Sequence, residues 1–159
     1  MQTLKRLGRY LKGRPRVVQR FVRQREPTRI DAYGDSDNAG DPESRRSTVG
    51  QIIMLGQHTV KHSCNLISQI GLSSVENEYY AITSVSATGL GIQSLLRDWH
   101  LEMSLTLHTD SSAAQSFTAR RGLGKMKHIQ TRFLWTQERV AAGHLKLVKV
   151  HTKKIMQTY

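Results

Sequence analysis

The sequence predicts an α/β (α+β) domain in which five strands and a small set of helices alternate as βββ-α-β-α-α-β. Three observations carry this. β-type runs follow one another between Ile30 and Asn65 with turn residues between them. A long stretch of helical periodicity begins after Ser73. Strand, helix, helix and strand then alternate from Leu105 to Val150.

Ahead of that pattern, Leu4, Leu7 and Leu11 fall at helical spacing with Lys5, Arg6, Arg9 and Lys12 between them, which reads as a short basic amphipathic helix stopped by Gly13 and Pro15. Val17 to Val22 is β-branched enough to be a strand, and Glu26-Pro27 breaks it. The domain boundary is placed there: 1–27 is a basic tail, 28–159 the folded domain.

Within the domain, Ile30 to Asp35 is the first strand, and Asp37 to Ser47 is a turn-rich loop with Asn38, Gly40, Asp41 and Pro42. Thr48 to Leu55 and His58 to Asn65 make a hairpin around Gly56-Gln57. Ser74 is a candidate N-cap for the long helix, and Tyr79, Ile82, Ile92, Leu95, Leu96 and Trp99 form its apolar face, weakened midway by Gly89 and Gly91. Leu105 to Asp110 is the fourth strand, and Ser111 to Thr118 a short helix. Ala119 to Lys127 is a basic loop. His128 to Ala142 is a helix buried through Ile129, Phe133 and Val140 and capped by Gly143, and Leu145 to Val150 is the last strand. Trp99 and Trp135 are read as packing residues.

Composition narrows the function. The chain of 159 residues is long enough for one real core. Nothing approaches the roughly 20 apolar residues of a membrane span, and the basic N-terminus lacks the apolar block of a secretory signal. A soluble intracellular protein is expected, with no preference between a cytoplasmic particle and the nucleus. Cys64 is the single cysteine, which excludes an internal disulfide and a cysteine-based metal cluster, and it is expected to be buried. Lysine and arginine number 24 against 12 acids, a net charge of +12. Residues 1–30 hold ten of the basic side chains and Glu26 alone, so +9 of that excess sits at the front. Such asymmetry favours a polyanionic partner, because binding phosphates releases condensed counterions.

Asp35 ends the first strand, Glu78 opens the long helix and Asp110 ends the fourth strand. If the first and fourth strands pair, both aspartates emerge at one edge, where the helix can bring Glu78. Three crowded carboxylates repel unless cations lie between them, and an all-oxygen site selects Mg²⁺ or Mn²⁺. Two such ions about 3.5 to 4 Å apart serve in-line hydrolysis of a phosphodiester. Acids at element ends are also common as caps or solvated charges, and spacing alone leaves both roles open. Arg120, Arg121, Lys125, Lys127 and Arg132, beside Gly122 and Gly124, make a candidate nucleic-acid-binding patch, the alternative being a solvated loop. His128, His144 and His151 fit no zinc spacing.

The sequence around these acids resembles a known family. Tyr33-Gly34-Asp35-Ser36-Asp37-Asn38-Ala39-Gly40-Asp41 with Arg46-Ser47-Thr48-Val49-Gly50, then Ser73-Ser74-Val75-Glu76-Asn77-Glu78-Tyr79-Tyr80-Ala81, then Thr109-Asp110-Ser111-Ser112-Ala113-Ala114, and finally Lys127-His128-Ile129 with Gly143-His144-Leu145 are similar to four motifs of the C-terminal ribonuclease H domain of copia-type retrotransposon Pol polyproteins, in the same order. The run from Leu4 to Gly13 resembles the connection leading out of the reverse transcriptase. The resemblance implies a ribonuclease H-like fold with a five-stranded mixed sheet flanked by helices. It also implies hydrolysis of the RNA strand of RNA–DNA hybrids during reverse transcription, with the reverse transcriptase of the same polyprotein as partner. Asp35, Glu78 and Asp110 take the places of metal-binding, catalytic carboxylates for two Mg²⁺ (or Mn²⁺) ions. Asp37 is expected in the turn beyond the strand and Glu76 at the helix N-terminus, neither as a ligand.

Two departures bear on activity. The family's "ADxLTK" motif, which supplies a fourth carboxylate on a closing helix, has no counterpart in Ile155-Met156-Gln157-Thr158-Tyr159. Position 38 holds asparagine where the family commonly has tryptophan. The expectation is therefore a nuclease of impaired activity that lacks the closing helix and leaves apolar surface exposed on the sheet. The alternative is a non-catalytic, nucleic-acid-binding remnant of the same fold.

Overall fold

A computed structural model describes residues 2–16, 18–124 and 129–150. Its elements are α1 (Gln2–Gly13), β1 (Arg29–Ser36), β2 (Thr48–Leu55), β3 (His58–Leu66), α2 (Ser74–Asp98), β4 (Ser104–Thr109), α3 (Ser112–Thr118), a 3₁₀ turn (Thr131–Phe133), α4 (Trp135–Ala141) and β5 (Lys146–Lys149).

The five strands form one mixed sheet in the order β3-β2-β1-β4-β5. β1 pairs antiparallel with β2 and parallel with β4, and β4 pairs parallel with β5. The expected side-by-side placement of the first and fourth strands is therefore present. The hairpin forms as read, with Gly56 at φ +59°, a left-handed position that glycine occupies without steric cost.

One face of the sheet is covered by α2. Ile30 and Ala32 of β1, Val49 and Ile53 of β2 and Leu105 and Leu107 of β4 pack with Ala81, Ile82 and Val85 of the helix, all buried. Ser73, not Ser74, caps α2: its side chain accepts from the Glu76 backbone N–H at 3.2 Å. The helix runs unbroken for 25 residues through Gly89 and Gly91. Gly89 is a packing device rather than a weak point, because a Cβ there would lie 2.9 Å from a Leu105 methyl. Gly34 does the same from β1, where a Cβ would meet the Val85 Cγ2 at 2.5 Å. Both let α2 sit close on the sheet.

The opposite face differs from expectation. By strand alternation it carries Asp31, Tyr33, Thr106 and His108 at its centre. Asp31 Oδ1 lies 2.7 Å from His108 Nε2, Arg29 Nε donates to Asp31 Oδ2 at 2.9 Å, and the Tyr33 ring stacks on the His108 ring at 4.5 Å. The centre of this face is thus a polar stack rather than bare apolar surface. Among the described residues, the exposed large apolar side chains of the sheet are Val60 and Leu66, on the edge strand β3.

Several local expectations are corrected. Residues 18–22 form no strand. That segment is held instead along the β2–β3 turn: Gln19 Nε2 donates to the Thr59 carbonyl at 2.7 Å, and the Gln24 side chain bonds the Leu55 carbonyl and the Gln57 N–H. Trp99 is the C-cap of α2 and 64% exposed, since the helix ends before its indole can turn inward. Cys64 is exposed, as are most residues of the edge strand β3. The helix read over 128–142 is shorter and begins as the 3₁₀ turn, with Ile129 buried ahead of it. No helix among the described residues is long and apolar enough to cross a membrane.

A carboxylate cluster at the sheet edge as candidate metal centre

β1 and β4 are parallel neighbours, so residues at their C-terminal ends share one edge of the sheet. Asp35 is the penultimate residue of β1, and Asp110 directly follows β4. Glu78 sits one turn into α2, above the end of β1. One carboxylate oxygen from each of the three lies within 4.8 Å of the others, and all three side chains are half-buried.

Local bonds fix this corner. Ser36 Oγ donates to Glu78 Oε1 at 3.1 Å, tying the helix to the strand. Asp37 is turned away, with Oδ1 accepting the Thr48 N–H at 2.6 Å. Glu76 is also occupied elsewhere: it is 1% exposed, accepts the Leu72 N–H through Oε2 at 2.9 Å and takes the Tyr80 hydroxyl on Oε1. Asn77 Nδ2 donates to Asn38 Oδ1 at 2.8 Å, so Asn38 braces the start of α2 against the β1–β2 loop. Ser36 and the Asn38–Asn77 contact escaped the sequence reading, since a serine after a strand carries no signal until its partner 42 positions away is known.

The electrostatics follow from crowding. Burial, and then the Asp35 charge, push the Glu78 carboxyl up from 4.5 to about 7. Burial and the neighbouring Asp110 raise Asp35 as well. Glu78 Oε2 is buried without a hydrogen-bond partner among the described residues. An orphaned carboxylate oxygen beside two further carboxylates is a donor set that suits a hard divalent cation, whose charge would offset the repulsion.

The basic patch is only partly visible. Arg120 and Arg121 are exposed just beyond α3. Their loop is held by the buried Gln137, whose Oε1 accepts the Gly122 N–H at 2.9 Å while Nε2 donates to the Phe117 carbonyl at 3.0 Å. Lys125, Lys127 and His128 lie outside the described residues, as do the Arg132 side chain and His151. His144 is exposed, with Nδ1 3.2 Å from an Arg139 nitrogen.

A five-stranded sheet of this order with acids at the ends of its parallel central strands defines a ribonuclease H-like fold. Among solved structures, ribonuclease H1 LC11 isolated from compost superposes with a TM-score of 0.54, covering 82% of this chain and 90% of that one at 17% identity. No model of a known protein family matches the chain. In sequence it is 31% identical over 155 residues to the retrovirus-related Pol polyprotein from transposon RE1 of Arabidopsis thaliana, covering 96% of this chain and 10% of that protein. It is 32% identical over 152 residues to the corresponding polyprotein from transposon RE2 of the same plant, covering 94% and 10%. The chain is a homologue of the retrovirus-related Pol polyproteins of transposons, and it spans about a tenth of the length of these relatives.

Proposed function

We propose that this chain is the ribonuclease H domain of a copia-type Pol polyprotein, a metal-dependent nuclease that hydrolyses the RNA strand of RNA–DNA hybrids. The observation that carries the reading is the convergence of Asp35, Glu78 and Asp110 to within 4.8 Å at the edge shared by two parallel strands. In this reading the three carboxylates hold Mg²⁺ or Mn²⁺, which supplies activation of the attacking water and stabilisation of the leaving oxygen in an in-line displacement. Ser36 holds the Glu78 carboxylate against β1. Arg120 and Arg121, together with Lys125, Lys127 and Arg132, contact phosphates and so position the duplex without reading its sequence. A hybrid is distinguished by shape and 2′-hydroxyls rather than base edges. Within a polyprotein the partner is the reverse transcriptase, entered through the segment 1–27.

One feature favours a second reading, a nucleic-acid-binding domain of low or absent turnover. The chain's basic excess, 24 lysines and arginines against 12 acids, suits phosphate binding whether or not the carboxylates turn over. The deciding experiment is cleavage of a labelled RNA–DNA hybrid in Mg²⁺ and in Mn²⁺ by the chain and by its Asp35→Asn variant. Cleavage by the chain and not by the variant establishes the nuclease. Metal-independent, salt-sensitive hybrid binding without cleavage by either establishes the second reading.

A further inference from the structure

A pocket of about 830 Å³ opens between the C-terminal half of α2, the start of β4, α4 and β5. It is remote from the carboxylates. Ser94 in its wall is 16 residues beyond Glu78 on the same helix, roughly 24 Å at the α-helical rise. Ser104 and Thr106 line it from the start of β4, whereas Asp110 follows that strand's other end.

The lining combines two chemistries. Arg97 from α2, Arg139 from α4 and Lys146 from β5 stand around it, with Glu102 as the opposing acid. Among the described residues none of these three cations is in an ion pair. Arg139 is steadied by His144, 3.2 Å from its guanidinium. The half-buried indole of Trp135 supplies a flat apolar wall, and Gln93 anchors the floor by donating to the Met103 carbonyl at 2.7 Å.

The geometry points to a nucleotide-binding pocket, in which the base stacks on Trp135 and the phosphate is held by Arg97, Arg139 and Lys146. A purely anionic ligand would have no use for the indole, and a purely apolar one would leave three cations unanswered. A nucleotide joins a π-face to a phosphate, and base–aromatic stacking together with arginine contacts is the general mode of single-strand capture. The nucleotide is either one residue of a strand or a free mononucleotide. This inference goes beyond the nuclease reading and does not require cleavage.

The test uses the full chain in EDTA with Trp99→Phe, which leaves Trp135 as its sole indole. Trp135 fluorescence is titrated with a 12-nucleotide single-stranded DNA and, separately, with adenosine monophosphate. Quenching by the oligonucleotide alone assigns the pocket to a strand, and quenching by both at similar concentration assigns it to a free nucleotide; either supports the proposal. Replacing Arg97, Arg139 and Lys146 together by alanine is expected to weaken the quenching ligand at least tenfold. For the strand it also lowers the salt slope by about 2, at roughly 0.7 for each phosphate no longer neutralised. The three side chains are exposed, and a thermal melt checks that the variant is folded. No quenching by either ligand, affinity and slope unchanged in the folded triple variant, or equal competition by polyglutamate would overturn the proposal. Hybrid cleavage in Mg²⁺ is read separately, so loss of one result leaves the other standing.

Discussion

Ser36 and Glu78, 42 positions apart in sequence, are joined by a 3.1 Å hydrogen bond that fixes the cluster's helix carboxylate against the end of the first strand. The contact links the backbone position of β1, which carries Asp35, to the orientation of the helix glutamate. It makes the cluster a property of the strand–helix pair rather than of any one acid.

Ser36→Ala should therefore lower metal affinity without removing a ligand. Loss of a group that orients a ligand typically costs 10- to 100-fold. Titration of Mn²⁺ into the variant, followed calorimetrically, should show a weakening in that range, and Asp35→Asn a larger one. Equal affinity in Ser36→Ala and the parent would show that the bond does not orient Glu78.

The raised carboxyls give the metal-free protein an inverted acid response. Glu78 titrates at about 7 in the fold against 4.5 when unperturbed, so the native state holds a proton that the unfolded chain releases. The stability this group contributes is full below pH 4.5 and is lost as pH rises to about 7. Asp35 acts in the same direction. Allowing for solvent screening of a half-exposed group, the loss is roughly 1–2 kcal/mol. Urea midpoints in EDTA should fall across that window, and Mg²⁺ should restore them at pH 7 by binding the native state. A midpoint in Glu78→Gln that still falls as steeply would assign the effect to other groups.

Gly34→Ala should loosen the seat of α2. The added Cβ would meet Val85 at 2.5 Å, and overpacking of this kind costs about 1–3 kcal/mol. The companion variant Gly34→Ala with Val85→Ala removes the obstructing methyl and should recover some of the loss in chemical denaturation. Independent, additive losses would place the strain elsewhere.

Asp31 and His108 bury a polar pair on the sheet face away from α2, with both side chains 11% exposed. Asp31→Ala leaves the buried His108 ring nitrogen without its hydrogen-bond partner, and an orphaned buried polar group costs about 1–3 kcal/mol. The exposed Arg29 adds little to that figure. Differential scanning calorimetry of the variant should show the drop, and a change below roughly 0.5 kcal/mol would mean the pair is dispensable.

Much of this was legible in the sequence because periodicity and turn chemistry are local. The β2–β3 hairpin followed from two β-type runs around Gly56-Gln57, and α3 from a serine cap ahead of Ala113 and Ala114. The reading failed where a residue's role depends on what lies opposite. Val17 to Val22 has the composition of a strand, yet residues 18–22 join no ladder, and side-chain bonds from Gln19 and Gln24 tie the segment to the hairpin instead. Trp99 fits the helical period yet falls at the C-cap, where the chain turns away from the core.

The sequence by itself determined the order and type of most elements, the basic front of the chain, and the identity of the three acids at element ends. Only the tertiary structure decided that those acids meet, which groups Glu76 and Asp37 bond instead, and that Asp31 and His108 share a buried face. The physical reason is that an element's type depends on residues a few positions apart. A site depends on parallel strand pairing and on how closely Gly34 and Gly89 let a helix approach, and those are set by contacts between distant segments of the chain.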